Sequence, residues 1–488
     1  MKTDFVPGTE NSRHTRLRRL ARRYIHDQNG AKRFLLTLLV ALITVKLLLL
    51  VIDSKPQLFV GDSCIYLATA LTGYIPLDRS FSYGYVLRAL AVWPHSLRTV
   101  VWAQTAMSTA ACWLVAVCLI RYFGSGVGIA ALCSLACAIE PLQLLSERYI
   151  LTEALANVLF AVFVFTCFEY LCAGTLFSLG AVQFIGVLLV SIRVSFLPIV
   201  LFCSVALPLM RPELITFVSE AVRQRRPRIL ITTLSQYAVI PLLCGLCLSQ
   251  LLLFGYRHLY AYILHPGLEP GYLYHDGFFL AGDFAPIIIP ADYPIPEQRA
   301  AIFGSLKFPL KDRRVRDQQR WAEGGLCDRI VEQFHNDHFR ANPVARATAL
   351  RAFKRAPFGV VRLAAGTFAD YFDRSYLIAT LEVDEAMDRQ LDGMWRPLVW
   401  EYKREFGEDF SNLQIDSPTK RWHRRVYGWY WLLLMLPAVL WCYLVVRWRT
   451  SNRYSWLCAF LLPVFLEGAV GPVTRPTARY MTSQSCPN

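Results

Sequence analysis

The chain has 488 residues, 55% of them hydrophobic, with a mean hydropathy of +0.35 and a formal net charge of +15. This much apolar material excludes an ordinary soluble enzyme of the same size, because several windows reach the roughly 20 apolar residues needed to cross a bilayer. The charge does not call for nucleic acid. It gathers at the N-terminus (RLRRLARR, 16–23) and in short loops beside apolar stretches, where the positive-inside bias places it.

Most of the 14 cysteines fall inside apolar stretches, where Cys behaves as a small hydrophobe rather than half of a disulfide. The pair Cys244 and Cys247 lies mid-span without a companion pair, so it is not read as a metal site.

In chain order, residues 1–33 read as a basic cytoplasmic N-terminus lying near anionic lipid. A first span covers about 34–52. It lacks a small-residue cleavage pattern and is read as a retained anchor whose Lys46 must face protein or snorkel. A loop at 53–96 precedes spans at about 97–120, 126–145, 150–171, 174–192 and 194–210. A basic amphipathic connector (211–228) leads to a seventh span at about 230–255, which closes a transmembrane bundle of 34–255. Residues 256–425 are rich in Pro, Gly, charge and aromatics and have no span-length apolar run, so they read as a soluble domain. Within it, 278–298 is expected to be extended, with helical patterns at about 312–338 and 342–371. Two closing spans, about 427–446 and 455–472, fill 426–473, and 474–488 forms a tail. The expected fold is therefore an all-α polytopic membrane protein of about nine transmembrane helices, with a mostly helical soluble domain inserted before the last two.

With the N-terminus inside, the 53–96 loop, EPLQLLSERYILTE (140–153), SIRVS (191–195), the large domain and the tail share the opposite face. Acids and arginines collect there: Asp62, Asp78, Arg79 and Arg88; Glu140, Glu147, Arg148 and Glu153; Arg193; and Arg479 with Tyr480. Ionisable groups at membrane depth are costly and tend to be paired or functional. Arginine recognises phosphate through its fixed fork of donors, and a carboxylate beside it can serve as a base or hold a divalent metal. Asp62 opens a short amphipathic helix (CIYLATALTG follows at 64–73 after Ser63), a position that the helix dipole alone also favours. Tyr149 and Glu153 share one helix face, and Arg148 and Thr152 share the adjacent one. His335, Asp337 and His338 are read as a solvated helix face rather than a metal site.

The layout resembles the GT-C superfamily of polytopic glycosyltransferases, which includes the polyprenyl-phosphate-sugar-dependent protein O-mannosyltransferases and lipid A aminoarabinose transferases. The matching stretches are GDSCIYLATALTGYIPLDRSFSYG (61–84) with its early acid, SERYILTEALANVLF (146–160), SIRVSFLPI (191–199), RATALRAFKRAPFGVVRLAAGTFADYF (346–372) and PTARYMTS (476–483). Where the superfamily often has an Asp–Glu pair, Asp62 is followed by Ser63. The resemblance implies sugar transfer from a polyprenyl-phosphate carrier to a glycan, lipid or protein acceptor at the outer face of a bacterial inner membrane. It implies Asp62 as base and Glu153 as its catalytic partner, with no cofactor beyond an optional divalent metal ion. Asp78, Arg79, Arg88, Glu147, Arg148, Arg193, Arg479 and Tyr480 would bind the substrates. Two other readings stay open on the residues alone, a transporter or flippase of lipid-linked saccharide and a non-catalytic envelope-assembly protein. No internal repeat favours the transporter.

Overall fold

The computed structural model describes residues 10–59, 62–210, 239–370, 372–373, 375–376, 401–407, 417–427, 429, 431–446, 455–459 and 461. The expected connector at 211–228, most of the last span, the tail, and Arg479 and Tyr480 lie outside these residues. The described chain is helical, and its only ladder contact is an isolated bridge between Gln57 and Tyr149.

Among the described residues, four helices are long and apolar enough to cross a membrane: 29–52 within α1 (Glu10–Ile52), α4 (Arg98–Phe123), α7 (Glu153–Ala173) and Ile240–Leu264. Between α1 and α4 lie two short helices, α2 (Asp62–Thr72) and α3 (Ser82–Leu87). α4 and α7 both stop at a glycine in the left-handed region, Gly124 (φ 61°) and Gly174 (φ 64°). Each donates its N–H back to the helix (Leu119 and Tyr170), a backbone shape that suits a residue without Cβ.

The segment expected as one span at 126–145 is instead two helices, α5 (Val127–Ile139) and α6 (Pro141–Arg148), bent by 48°. The cause is local. Glu140 is extended, its carboxylate accepts the N–H groups of Leu142 (3.0 Å) and Gln143 (2.6 Å), and Pro141 has no N–H to continue the first helix. α8 (Leu176–Ile192) and α9 (Leu197–Leu209) are apolar but shorter, joined by a single 3₁₀ turn after Arg193. They pack on α7, and α10 (Ile240–Leu264) packs on them, around a core that includes Phe163, Leu189, Cys203 and Leu253.

Beyond α10 the chain forms a separate helical unit with its own core of Phe278, Tyr293, Leu326, Ile330 and a row of alanines, Ala341, Ala345, Ala349 and Ala352. Its helices are α11 (Asp276–Phe284), α12 (Arg299–Gly304), α13 (Arg316–Trp321), α14 (Leu326–Gln333), α15 (His338–Arg355) and α16 (Pro357–Asp370). The stretch expected to be extended from 278 is helical to Phe284, and the prolines after it impose successive 3₁₀ turns rather than a strand. Gly277 lets α11 approach α15 closely: a Cβ there would lie 2.1 Å from the carbonyl oxygen of Asn342. α17 (Pro418–Tyr427) returns against α6, and α18 (Trp431–Val446) follows.

Candidate active site at the first loop

The stretch 57–80 is the point where most of the molecule is tied together. Gln57 N–H donates to the Arg148 carbonyl (2.8 Å), and Ile150 N–H donates to the Gln57 carbonyl (3.0 Å). Ser63 Oγ donates to the Ile150 carbonyl at 3.0 Å, which sets α2 beside the start of α7. Ser80 Oγ donates to the Ser191 carbonyl at the end of α8. Tyr260 of α10 donates to the Pro76 carbonyl, and Tyr274 N–H donates to the Leu77 carbonyl at 2.8 Å. Four elements distant in sequence are thus held against one loop.

Two acid–arginine pairs result. Arg79 uses its Nε and Nη2 edge on Asp78 (3.0 and 2.5 Å), while its Nη1 donates to Asp62. Arg193 Nη1 donates to Glu153 at 3.0 Å. Asp62 and Glu153 are the first residues of α2 and α7, where a carboxylate is favoured by the helix dipole. The Asp62 side chain is 15% exposed and that of Glu153 10%. Burial would raise the Asp78 carboxyl, but the charge and hydrogen bonds of Arg79 outweigh it and hold Asp78 below the usual carboxylate range.

Tyr66 stands between the pairs. The Arg79 guanidinium is 5.8 Å from its ring centroid, and its hydroxyl is within electrostatic reach of Arg79, Asp62, Glu153 and Arg193. Burial pushes that hydroxyl well above its usual range, so it stays protonated. Tyr83 packs edge-on against Tyr66 at 5.0 Å and accepts from Gln104 Nε2 of α4 at 2.9 Å. Glu153 Oε2 and Gln104 Oε1 are buried and lack a hydrogen-bond partner among the described residues, so both remain able to accept from a ligand hydroxyl. From the second unit comes His275, one residue beyond the Tyr274–Leu77 bond and so beside Asp78. Burial lowers its pKa to about 4, with His338 and Arg79 adding to the fall and Asp78 opposing it. The His275 and His338 rings stack at 5.1 Å.

The other candidates stand elsewhere. Arg88 donates its Nε to the Ala70 carbonyl (2.7 Å) and so caps the C-terminal end of α2. Glu147 and Arg148 form a sealed cluster with Lys46. Glu147 accepts from Lys46, from Ser108 Oγ (2.6 Å) and from Arg148 Nη1 (2.8 Å). Arg148 Nε donates to the Asp53 carbonyl (2.7 Å) and Nη2 to the Leu49 carbonyl (3.3 Å), so all three of its nitrogens are used within the protein. Glu140 is the cap of α6, Asp337 caps α15 through Phe339 and Arg340, and His338 lies against His275 rather than in solvent. The sequence carried a signal for Tyr66, four residues after Asp62 on the same helix face. None marked Gln104 or His275 as neighbours of the acids.

Three carboxylates (Asp62, Asp78, Glu153) face two guanidiniums (Arg79, Arg193), a net charge of minus one. A divalent metal does not suit this donor set, because each carboxylate is engaged by an arginine. Among the described residues no group of three or more His, Cys, Asp or Glu side chains is arranged to hold one. Hydroxyl binding and proton transfer are the chemistry the groups support. No family model matches the chain, and comparison with curated proteins and with solved structures finds no match.

Proposed function

We propose that the chain is a GT-C-type membrane glycosyltransferase of about nine spans. It would move a sugar from a polyprenyl-phosphate carrier to an acceptor hydroxyl at the periplasmic face of a bacterial inner membrane. The observation that supports this reading is the meeting of a helix-opening carboxylate, Asp62, with Arg79, and of a second helix-opening carboxylate, Glu153, with Arg193, around one protonated tyrosine.

The reaction is a single displacement. Asp62 takes the acceptor O–H proton as the oxygen attacks the anomeric carbon. The bond from that carbon to the phosphate oxygen breaks, and its electron pair leaves on the phosphate. The configuration inverts, so no carboxylate nucleophile is needed. Asp62 accepts from Arg79 at rest. An arriving phosphate competes for the Nη1 edge of Arg79, while the Asp78 fork keeps the guanidinium in place. Asp62 is then released beside the acceptor, and the phosphate is stabilised as it leaves. Glu153 Oε2 and Gln104 Oε1 accept from sugar or acceptor hydroxyls.

The test is Asp62→Asn in purified, lipid-reconstituted protein given a labelled polyprenyl-phosphate hexose, followed by release of polyprenyl phosphate. Loss of the general base lowers turnover by about 10²–10⁴-fold in a variant that elutes and melts like the parent. Full turnover in such a variant removes Asp62 from the base role.

A further inference from the structure

The second helical unit carries a surface that the proposed transfer reaction does not use. On α16, Phe358, Val361, Ala365 and Phe368 recur at spacings of three and four, the period of one helix face, and exposed Phe372 lies just beyond the helix end. That face is bare: Phe358 is 86% exposed, Val361 65% and Phe368 52%. The opposite face is packed, with Leu363 buried and Gly359 against Ile287. The bare stripe continues onto the end of α15 as exposed Leu350 and Phe353. Exposed Arg351, Lys354 and Arg362 run beside it.

The charge of this stretch is one-sided. From His338 to Ala369 there is no Asp or Glu, while Arg340, Arg346, Arg351, Lys354, Arg355 and Arg362 are all present. Among the described residues, Arg346 pairs with Asp276, Arg355 with Asp292 and Arg340 with Asp337, which leaves Arg351, Lys354 and Arg362 as the basic row beside the stripe. A second copy of the chain docked on the same face would set cation against cation. An anionic phospholipid surface instead meets both features, taking the aromatic stripe below its headgroups and pairing the basic row with phosphate. The placement is right as well, since the unit follows α10 directly and Tyr274 N–H at its start donates to the Leu77 carbonyl of the first loop.

We infer that α15 and α16 dock on an anionic phospholipid bilayer, with the Phe358–Phe372 stripe in contact with acyl chains. This holds whether or not the chain transfers sugar.

The test places photoreactive benzoylphenylalanine at Phe358 or Phe368 of the full-length chain, in nanodiscs of phosphatidylcholine with or without phosphatidylglycerol. Glu323, exposed elsewhere on the unit, is the control position. Irradiation followed by mass measurement is expected to give protein–phospholipid adducts at 358 and 368 and none at 323, with more in the phosphatidylglycerol discs. Combining Arg351→Gln, Lys354→Gln and Arg362→Gln is expected to lower the adduct yield in those discs by at least about fivefold, the effect of about one basic residue near a charged surface. Adducts that join two copies, adducts to another stretch of the same chain, absence of lipid adducts, or equal yields in both lipid mixtures would each overturn it.

Discussion

Glu147→Gln separates a structural from a substrate-binding role for the Lys46–Glu147–Arg148 cluster. The three side chains are sealed, at 1%, 0% and 1% exposure. The substitution keeps the shape of the side chain and removes the charge that both cations share. Breaking a buried pair from one side costs about 3–5 kcal/mol, because the partner stays buried and uncompensated. Here two cations lose their counter-charge, so the upper part of that range applies. The loss, about 4–5 kcal/mol, is about three to three and a half decades in the folded-to-unfolded ratio, against a typical domain stability of about 5–15 kcal/mol. Heating the detergent-solubilised protein and following the monodisperse fraction by size exclusion is expected to show a clear fall in apparent melting temperature. Adding Lys46→Met to Glu147→Gln is expected to recover part of it, since Arg148 keeps the Asp53 and Leu49 carbonyls. A Glu147→Gln protein that melts like the parent yet loses donor binding would refute the structural assignment.

Gly277→Ala is expected to disrupt the second unit far beyond a usual surface change, because its Cβ would meet backbone atoms of α15 at 2.1 and 2.8 Å and force α11 away. Limited proteolysis within 276–355 reads this directly, and parental protection would contradict the packing. At the His275 junction, the folded-state pKa lies near 4 against an ordinary 6.5, so the undocked state binds more protons between those values. Stability at this contact therefore falls as pH drops from about 6.5 toward 4, by at most about 3 kcal/mol. Asp78, held low, keeps its contribution throughout this window and loses it only below its ordinary 3.8. Exchange of the Tyr274 amide, normalised to its intrinsic rate, should accelerate across that window in the parent and less in His275→Gln, with His338 retaining part of the slope. Parallel curves for the two proteins would remove His275 from the effect.

Local chemistry made much of the helical frame legible. The hydropathy that marks 34–52, 97–120 and 150–171 depends only on side chains within each stretch, and these fall within α1, α4 and α7 with small shifts at the ends. The place of Asp62 at the start of a short helix is likewise local, since a carboxylate suits the first turn. The bend at Glu140–Pro141 was available too, because a capping acid followed by proline is itself a helix start. The helical path after Asp276 was not, because proline-rich spacing obscured the α11 pattern.

Asp78–Arg79 and Glu147–Arg148 are neighbours in the chain, but which distant charges meet was decided by tertiary structure. Lys46 and Glu147 are 101 residues apart, and Arg193 and Glu153 are 40 apart. Sequence placed Glu147, Arg148, Glu153 and Arg193 on one face, with Glu153 as the catalytic candidate and the other three as substrate binders. Folding sends the first two into a sealed cluster with α1 and leaves the last two beside Tyr66. The difference comes from the Gln57–Tyr149 bridge and the Ser63–Ile150 bond, which turn adjacent residues of one short segment toward opposite neighbours. Hydropathy and capping are properties of a few consecutive residues. The partner of a buried charge is fixed only when distant backbone segments hydrogen-bond and bring it there.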